Sequence, residues 1–147
     1  MSSSPKRSAK VTILSVLLGI SILMAAILAV FCIRQQNILR YKSIVNLSTA
    51  YSYMQDFYLA KDDSHKESFS KILLAMESQS DYLDDTALRV KEFVRLSALS
   101  ATKDDRFDDV SAIIRTMDVN FDTENKTVIV DLDNLNNAIE LLSVFVK

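Results

Sequence analysis

The side chains that most often carry out catalysis are few in this sequence, and their spacing matches no catalytic set. His65 is the only histidine, and it follows Asp62 and Asp63. Nucleophilic catalysis needs an activated nucleophile, a base and oxyanion donors, and no motif singles out one Ser–Lys pair. The single cysteine, Cys32, excludes an internal disulfide, and a zinc ligand set is missing. We therefore predict no enzymatic activity, no catalytic residue, no cofactor and no metal site.

Glycine and proline, which build most functional loops, are almost absent. Gly19 and Pro5 are the only two, so residues 34–147 contain neither. Tight turns with positive φ, phosphate-binding loops and nucleophile elbows usually need glycine. The composition therefore favours helices joined by short polar turns and disfavours an active site built on loops.

Residues 11–33 form an apolar segment of 23 residues without a charge. As a helix it is about 34 Å long, enough to cross the ~30 Å hydrocarbon core of a bilayer. The segment exceeds the ~7–15 residues of a secretory signal core, and no A-x-A cleavage site follows it. We predict a basic polar tail at residues 1–10 and an uncleaved, single-pass signal anchor at residues 11–33.

The charges on the two sides of this segment orient it only weakly. Three basic residues precede it and three follow it closely: Lys6, Arg7 and Lys10, then Arg34, Arg40 and Lys42. Together with the α-amino group, the first set favours a cytoplasmic N-terminus by the positive-inside rule. We therefore predict that the C-terminal domain lies outside the cytoplasm.

Small residues gather on one side of the predicted membrane helix, within an arc of about 160° at 100° per residue. The members that form small-x-x-x-small patterns are Ser15, Gly19, Ser21, Ala25 and Ala29. Such patterns let two helices approach closely, so these residues are candidates for helix packing in the membrane. The alternative is that Ala and Ser are simply common in membrane spans.

Residues 34–147 read as a small helical domain. Apolar residues recur at intervals of three and four in its first helix, which continues from the span to about residue 60: Ile44, Leu47, Tyr51, Met54 and Tyr58. Similar stripes follow in three later segments: Phe69 to Met76, Ala87 to Ala101 and Phe107 to Met117. A last helix carries Leu135, Ala138, Ile139, Leu142 and Val146. We expect these stripes to form the core.

Three pairs of aspartates precede predicted helices, and a fourth cap is predicted before the last helix. We interpret them as N-terminal caps, because carboxylates there accept unpaired N–H groups and favour the helix dipole. The predicted cap residues are Asp63, the capping box Ser64 and Glu67, then Asp85, Asp105 and Asp131. A metal site at these pairs is the weaker interpretation.

Residues of about 119–130 break the helical pattern. β-Branched and aromatic residues flank the polar run 122–126, which is typical of a small hairpin. Two strands alone are marginal, so the hairpin must pack on helices or pair with another chain. The predicted fold is mostly α: a single N-terminal transmembrane helix continuing into a small antiparallel helical bundle with one short β-hairpin.

The charge and the predicted architecture indicate a protein that acts by binding other proteins. Residues 34–147 carry 14 of the 17 Lys and Arg and all 19 Asp and Glu, about −5 in total, so we predict no nucleic acid partner. We predict a membrane-anchored interaction or accessory protein that binds other proteins or a second copy through its bundle and membrane helix. The alternative is an extracytoplasmic sensor domain that reads a ligand or mechanical state and acts through a partner.

Overall fold

The computed structural model describes residues 5–61, 67, 71, 74, 77–101 and 104–147. These residues are mostly helical, as the periodicity predicts. The described helices are α1 (Pro5–Leu59), α2 (Asp85–Ser100), α3 (Phe107–Arg115) and α4 (Leu132–Val146). Two short 3-10 helices lie at Glu77–Tyr82 and Asp104–Arg106, and the strands are β1 (Val119–Asp122) and β2 (Thr127–Val130). The chain divides into two compact units, Met1–Asn37 and Ile38–Lys147.

The first unit consists of the N-terminal part of α1. All its Val, Leu, Ile, Met and Phe side chains in residues 11–33 are 53–71% exposed. Within the described part of the chain, one helix is long and apolar enough to cross a membrane, Lys10–Leu59, and its most apolar stretch is entirely unburied. Length and composition of this kind are shared by membrane spans and by signal sequences.

The second unit is a helical bundle with a buried apolar core. The predicted stripe of α1, from Ile44 to Tyr58, has every member buried to 4% exposure or less. The other helices and the hairpin cover it with Ala87, Val90, Phe93 and Val94 of α2, Val110 and Ile114 of α3, Leu135, Ala138 and Leu142 of α4, and Val128 of β2. The predicted stripes of these four helices therefore form the core, whereas the predicted stripe from Phe69 to Met76 falls mainly outside the described residues.

The hairpin is present where the β-branched residues predict it. β1 and β2 are antiparallel, with Val119 opposite Val130 and Asp122 opposite Thr127. The Asp122 carboxylate closes the four-residue turn by accepting bonds from the backbone N–H (2.9 Å) and the side-chain amide (2.7 Å) of Asn125. Both bonds stabilise the ionised carboxylate, so they lower the pKa of Asp122.

Positive φ angles occur in spite of the missing glycines. Lys61, just beyond α1, has a φ of 56°, and Lys126 in the hairpin turn has a φ of 57°. Glycine is the residue that usually takes these positions, because other side chains crowd the backbone there. In this chain two lysines adopt the conformation instead, one at the end of α1 and one in the hairpin turn.

Two of the predicted caps are displaced in the structure. The N-cap of α2 is Asp84, not Asp85: Asp84 is extended (φ −79°, ψ 171°) and its carboxylate accepts the N–H of Ala87 at 2.9 Å. Asp85 already lies in the first turn. Asp105 belongs to the 3-10 helix, and Arg106 precedes α3 without a side-chain cap bond. An N-cap residue has a non-helical backbone, which Asp84 has, whereas Asp85 and Asp105 lie within helices.

The remaining caps are the one before the last helix and the one near residue 63. Asp131 is the N-cap of α4, and its carboxylate accepts the N–H groups of Asp133 and Asn134. Asp63 and Ser64 lie outside the described residues. Glu67 is helical and pairs with Lys71, with 2.6 Å between Oε1 and Nζ.

The cap of α2 provides a test of the fold. Asp84→Ala removes the bond to Ala87 and the partly exposed ion pair with Arg40 (3.3 Å), so it should lower the free energy of unfolding by about 1 kcal/mol. Asp85→Ala, the adjacent control, should change it by less than about 0.5 kcal/mol. Denaturant titration of the full chain in detergent measures both. Equal losses for the two variants would contradict the assignment of Asp84 as the cap.

Candidate functional site

The predicted packing residues of the apolar helix lie on α1, and all are exposed within the first unit: Ser15, Gly19, Ser21, Ala25 and Ala29. The hydroxyl of Ser15 donates to the carbonyl of Val11 at 2.8 Å, and that of Ser21 to the carbonyl of Leu17 at 2.9 Å. Both hydroxyls are thus satisfied within the helix. A Cβ added at Gly19 would meet no atom within 4 Å. This face therefore consists of small side chains, and both of its hydroxyl groups already donate hydrogen bonds within the helix.

Groups that could carry catalysis or hold a metal are not gathered at one place in the described structure. His65, Asp62 and Asp63 lie outside the described residues, and Cys32 is exposed. Among the residues that the structure describes, no three His, Cys, Asp or Glu side chains lie close enough to hold a metal ion. The prediction of no metal site therefore remains a prediction.

One Ser–Lys pair does form, which sequence reasoning did not single out. Lys91 is 8% exposed, and its ammonium donates to the hydroxyl of Ser80 at 2.6 Å. The bond satisfies a nearly buried charge, which is costly to leave unpaired. The burial of Lys91 could have been predicted from the sequence, because Lys91 lies at helical spacing from Ala87 and Val94 on the buried face of α2.

A second polar set joins the helices inside the core. The Tyr58 hydroxyl donates to the carbonyl of Ser97 at 2.7 Å, and the Ser111 hydroxyl donates to the carbonyl of Tyr58 at 3.1 Å. Tyr58 thereby ties α1 to both α2 and α3. The Tyr58 ring also lies 5.2 Å from the ring of Phe107. Burial disfavours its phenolate, so the pKa of Tyr58 is raised. These contacts are those of a structural core residue.

Tyr51 makes a similar connection seven residues earlier in the same stripe of α1. Its hydroxyl donates to the carbonyl of Met117 at 3.4 Å, and its ring lies 5.6 Å from that of Phe121 on the hairpin. Burial, and secondly the negative charge of Asp118, raise the pKa of Tyr51 to about 12. The ordinary value is 10.0, so the folded protein keeps this proton to a higher pH than the unfolded chain does.

This difference predicts a loss of stability in alkali. The contribution of Tyr51 is fully present below pH 10.0 and is lost as the pH rises through about 12, because the unfolded chain releases the proton first. Tyr51→Phe should therefore make the free energy of unfolding fall less steeply with pH between 10.0 and about 12. The remaining pH dependence comes from Tyr58, whose pKa is raised in the same direction. Denaturant titrations of both full-length proteins across the window provide the measurement. An unchanged slope in the variant would contradict the burial of Tyr51.

Apolar side chains also remain on the outside of the second unit. On α4, Leu141 is 52% and Val144 is 63% exposed, and with Asn137 and Glu140 they line an open groove. On the outer face of the hairpin, Ile129 is 60% exposed. A second open groove, between α2 and α4, combines the charged side chains of Asp85, Arg89 and Glu92 with the apolar side chains of Leu88 and Ile139. The exposed apolar groups are candidate contact surfaces.

Comparison with known proteins assigns no function to these surfaces. No family model, curated protein or solved structure matches the chain. The function therefore has to be argued from the residues and the geometry described above.

Proposed function

We propose that this chain is a membrane-anchored interaction protein. In this proposal residues 11–33 cross the bilayer and the second unit binds other proteins or a second copy of the chain. The observation that supports it most is the combination of a buried core in the second unit with apolar side chains left outside. The N-terminal apolar groups, all at least 53% exposed, need lipid as a cover. Leu141, Val144 and Ile129 are the exposed apolar side chains of the second unit that we propose a protein partner covers.

A permanent anchor fits α1 better than a removable signal sequence. The helix continues without interruption from the apolar segment to Leu59. Its uncharged stretch of 23 residues also exceeds the ~7–15 residues of a secretory signal core. Three basic residues flank each side of the span and the α-amino group adds a positive charge to the first set, which favours a cytoplasmic N-terminus, so we propose that the second unit lies outside the cytoplasm.

The small face of the span is the first proposed contact. Ser15 and Ser21 already bond within their own helix, so the face offers close backbone approach and not side-chain hydrogen bonds. Association of two such helices depends on van der Waals packing, to which small residues give access. A second copy of the same span is the simplest partner, because the face is then complementary to itself.

A sensor function has less support. A ligand-reading bundle needs an enclosed pocket between helices, lined by a few convergent polar groups. Two grooves that described residues line are open to solvent, one with Asn137 and Leu141, the other with Arg89 and Ile139. The buried hydroxyls of Tyr58 and Ser111 bond to backbone carbonyls of neighbouring helices.

The test of this proposal is self-association of the full chain in a membrane. Ala25→Leu combined with Ala29→Leu adds bulk to the small face and should weaken dimerisation about tenfold, that is ~1.4 kcal/mol. Ile20→Leu combined with Met24→Leu has the same spacing on the opposite side, changes bulk little and should have no effect. Crosslinking in lipid vesicles and single-molecule counting measure the dimer fraction.

The same variants test for other partners. The full chain is purified in mild detergent, and the chains that copurify are identified for the wild type and for both double variants. Partners lost only with Ala25→Leu and Ala29→Leu bind through the span, and partners kept by all variants bind through the second unit. A chain that is monomeric in vesicles and copurifies with nothing would contradict the proposed function.

A further inference from the structure

The end of the second unit that follows the apolar segment differs in charge from the rest of the domain. The first acidic residue after that segment is Asp56, so residues 34–55 contain three basic residues and no carboxylate. Residues 56–147 carry the other 11 Lys and Arg and all 19 Asp and Glu. Positive charge is therefore concentrated where the chain leaves the apolar segment, and the excess of negative charge lies farther along.

Three exposed side chains of the second unit share one face of α1 at this end. Ile38 is 39% and Tyr41 is 47% exposed, and Lys42 is exposed as well. Positions i, i+3 and i+4 of a helix lie on the same side, and we call these three residues the proximal face. An apolar, an aromatic and a cationic side chain are thus combined, as is typical of helix positions at a membrane–water interface.

The length of helix between the apolar segment and the proximal face is short. At 1.5 Å per residue, Ile38 lies about 7.5 Å and Lys42 about 13.5 Å beyond Ile33 along α1. The headgroup region of a bilayer extends ~5–7.5 Å from each side of the hydrocarbon core. Side chains lean toward the N-terminus of their helix, which is the bilayer side if residues 11–33 span it. The long side chains of Tyr41 and Lys42 therefore lean toward the headgroups.

Lys42 is the cation that the proximal face leaves available. The neighbouring Arg40 pairs with Asp84 at 3.3 Å, so its charge is already partly neutralised. Lys42 is exposed and forms no ion pair with the residues that the structure describes. A basic side chain at the surface of a bilayer is attracted by anionic headgroups, because their negative surface potential acts within about a Debye length.

We propose that the proximal face rests among lipid headgroups and that Lys42 binds the anionic group of acidic phospholipids in the leaflet that faces the second unit. Ile38 and Tyr41 contribute contact with the interface, and Lys42 contributes the preference for negative charge. The acidic remainder of the unit is repelled by the same headgroups, so the domain touches the lipid at this end. The inference rests on the proposed function, since it needs residues 11–33 in the bilayer, and it adds a lipid to the partners of the second unit.

Tryptophan fluorescence measures the depth of the proximal face in the full chain. The sequence contains no tryptophan, so Tyr41→Trp introduces a single fluorophore. Leu59→Trp is the matched control, because Leu59 is also exposed and lies on the same face of α1 about five turns, or about 27 Å, farther along. In vesicles whose lipids carry bromine on the upper acyl carbons, emission of the Tyr41→Trp chain should fall by about half or more, and that of the Leu59→Trp chain should not change.

The preference for anionic lipid is measured by changing which headgroup carries the bromine. In mixed vesicles of fixed composition, brominated phosphatidylglycerol should quench the Tyr41→Trp chain about twofold more than brominated phosphatidylcholine does. Adding Lys42→Gln should abolish this difference, and so should salt at about 1 M, where the Debye length is ~3 Å. Lys42→Arg keeps the charge and should keep the difference. Lys61→Gln removes the same charge just beyond the far end of α1 and should keep it too.

A third fluorophore, Leu23→Trp, separates this inference from the proposed function. Leu23 lies in the middle of the apolar segment, so bromine near the acyl chain ends should quench it if the segment spans the bilayer. Quenching of Leu23→Trp without quenching of Tyr41→Trp would overturn the lipid contact and leave the anchor intact. Equal quenching of Tyr41→Trp by the two brominated lipids, a preference that survives Lys42→Gln, or equal quenching of Tyr41→Trp and Leu59→Trp would overturn it as well. No quenching of Leu23→Trp would overturn the anchor and this inference together.

Discussion

Burial of one stripe of α1 is the interaction on which the second unit depends. Ile44, Leu47, Met54 and Tyr58 are completely buried, and the other helices and the hairpin pack around them. Each fully buried side chain of this size contributes about 1.5–3 kcal/mol relative to an exposed one. Tyr58 adds hydrogen bonds to α2 and from α3, so it fixes the positions of two helices as well as filling space. The stripe therefore supplies the centre of the core and also fixes the positions of α2 and α3 against α1.

Small hydroxyl side chains make this close packing compatible with polar atoms in the core. Ser43, Ser97 and Ser100 are buried, and each donates to the carbonyl four residues earlier in its own helix. Ser111 instead donates across to α1. A serine satisfied within its helix behaves as a small residue and lets a neighbouring helix approach. Ser15 and Ser21 use the same bond in the apolar segment, where the proposed neighbour is another membrane helix.

Periodicity predicted the core of this protein well. The stripes of α1, α2, α3 and α4 and the position of the hairpin follow from spacings of three and four and from one β-branched run, because burial selects apolar residues at those spacings. The displaced caps did not follow, since the choice between Asp84 and Asp85 depends on which residue has an extended backbone. The positive φ angles of Lys61 and Lys126 were missed for a similar reason. Residue type sets the strain at such a position, and the surrounding structure decides whether it is accepted.

The candidate contact surfaces were only partly predictable. The small face of the apolar segment was visible in the sequence as a regular spacing of small residues. The hairpin edge was visible as an uncharged strand. The Ser80–Lys91 bond was missed because its partners are 11 residues apart and meet only in the folded chain. The outward position of Val144 was missed too. An apolar residue off the main stripe can lie at the edge of the core or away from it, and only packing separates the two cases.

The continuity of α1 limits how this domain could be shed from a membrane. The helix that carries the apolar segment also supplies the innermost core residues, beginning with Ser43 and Ile44. A protease that cuts within residues 34–42 releases an intact core, whereas a cut farther along removes part of the stripe. If residues 11–33 anchor the chain as proposed, a form released by proteolysis would keep a short N-terminal part of α1, and the core sets the minimum length of that part.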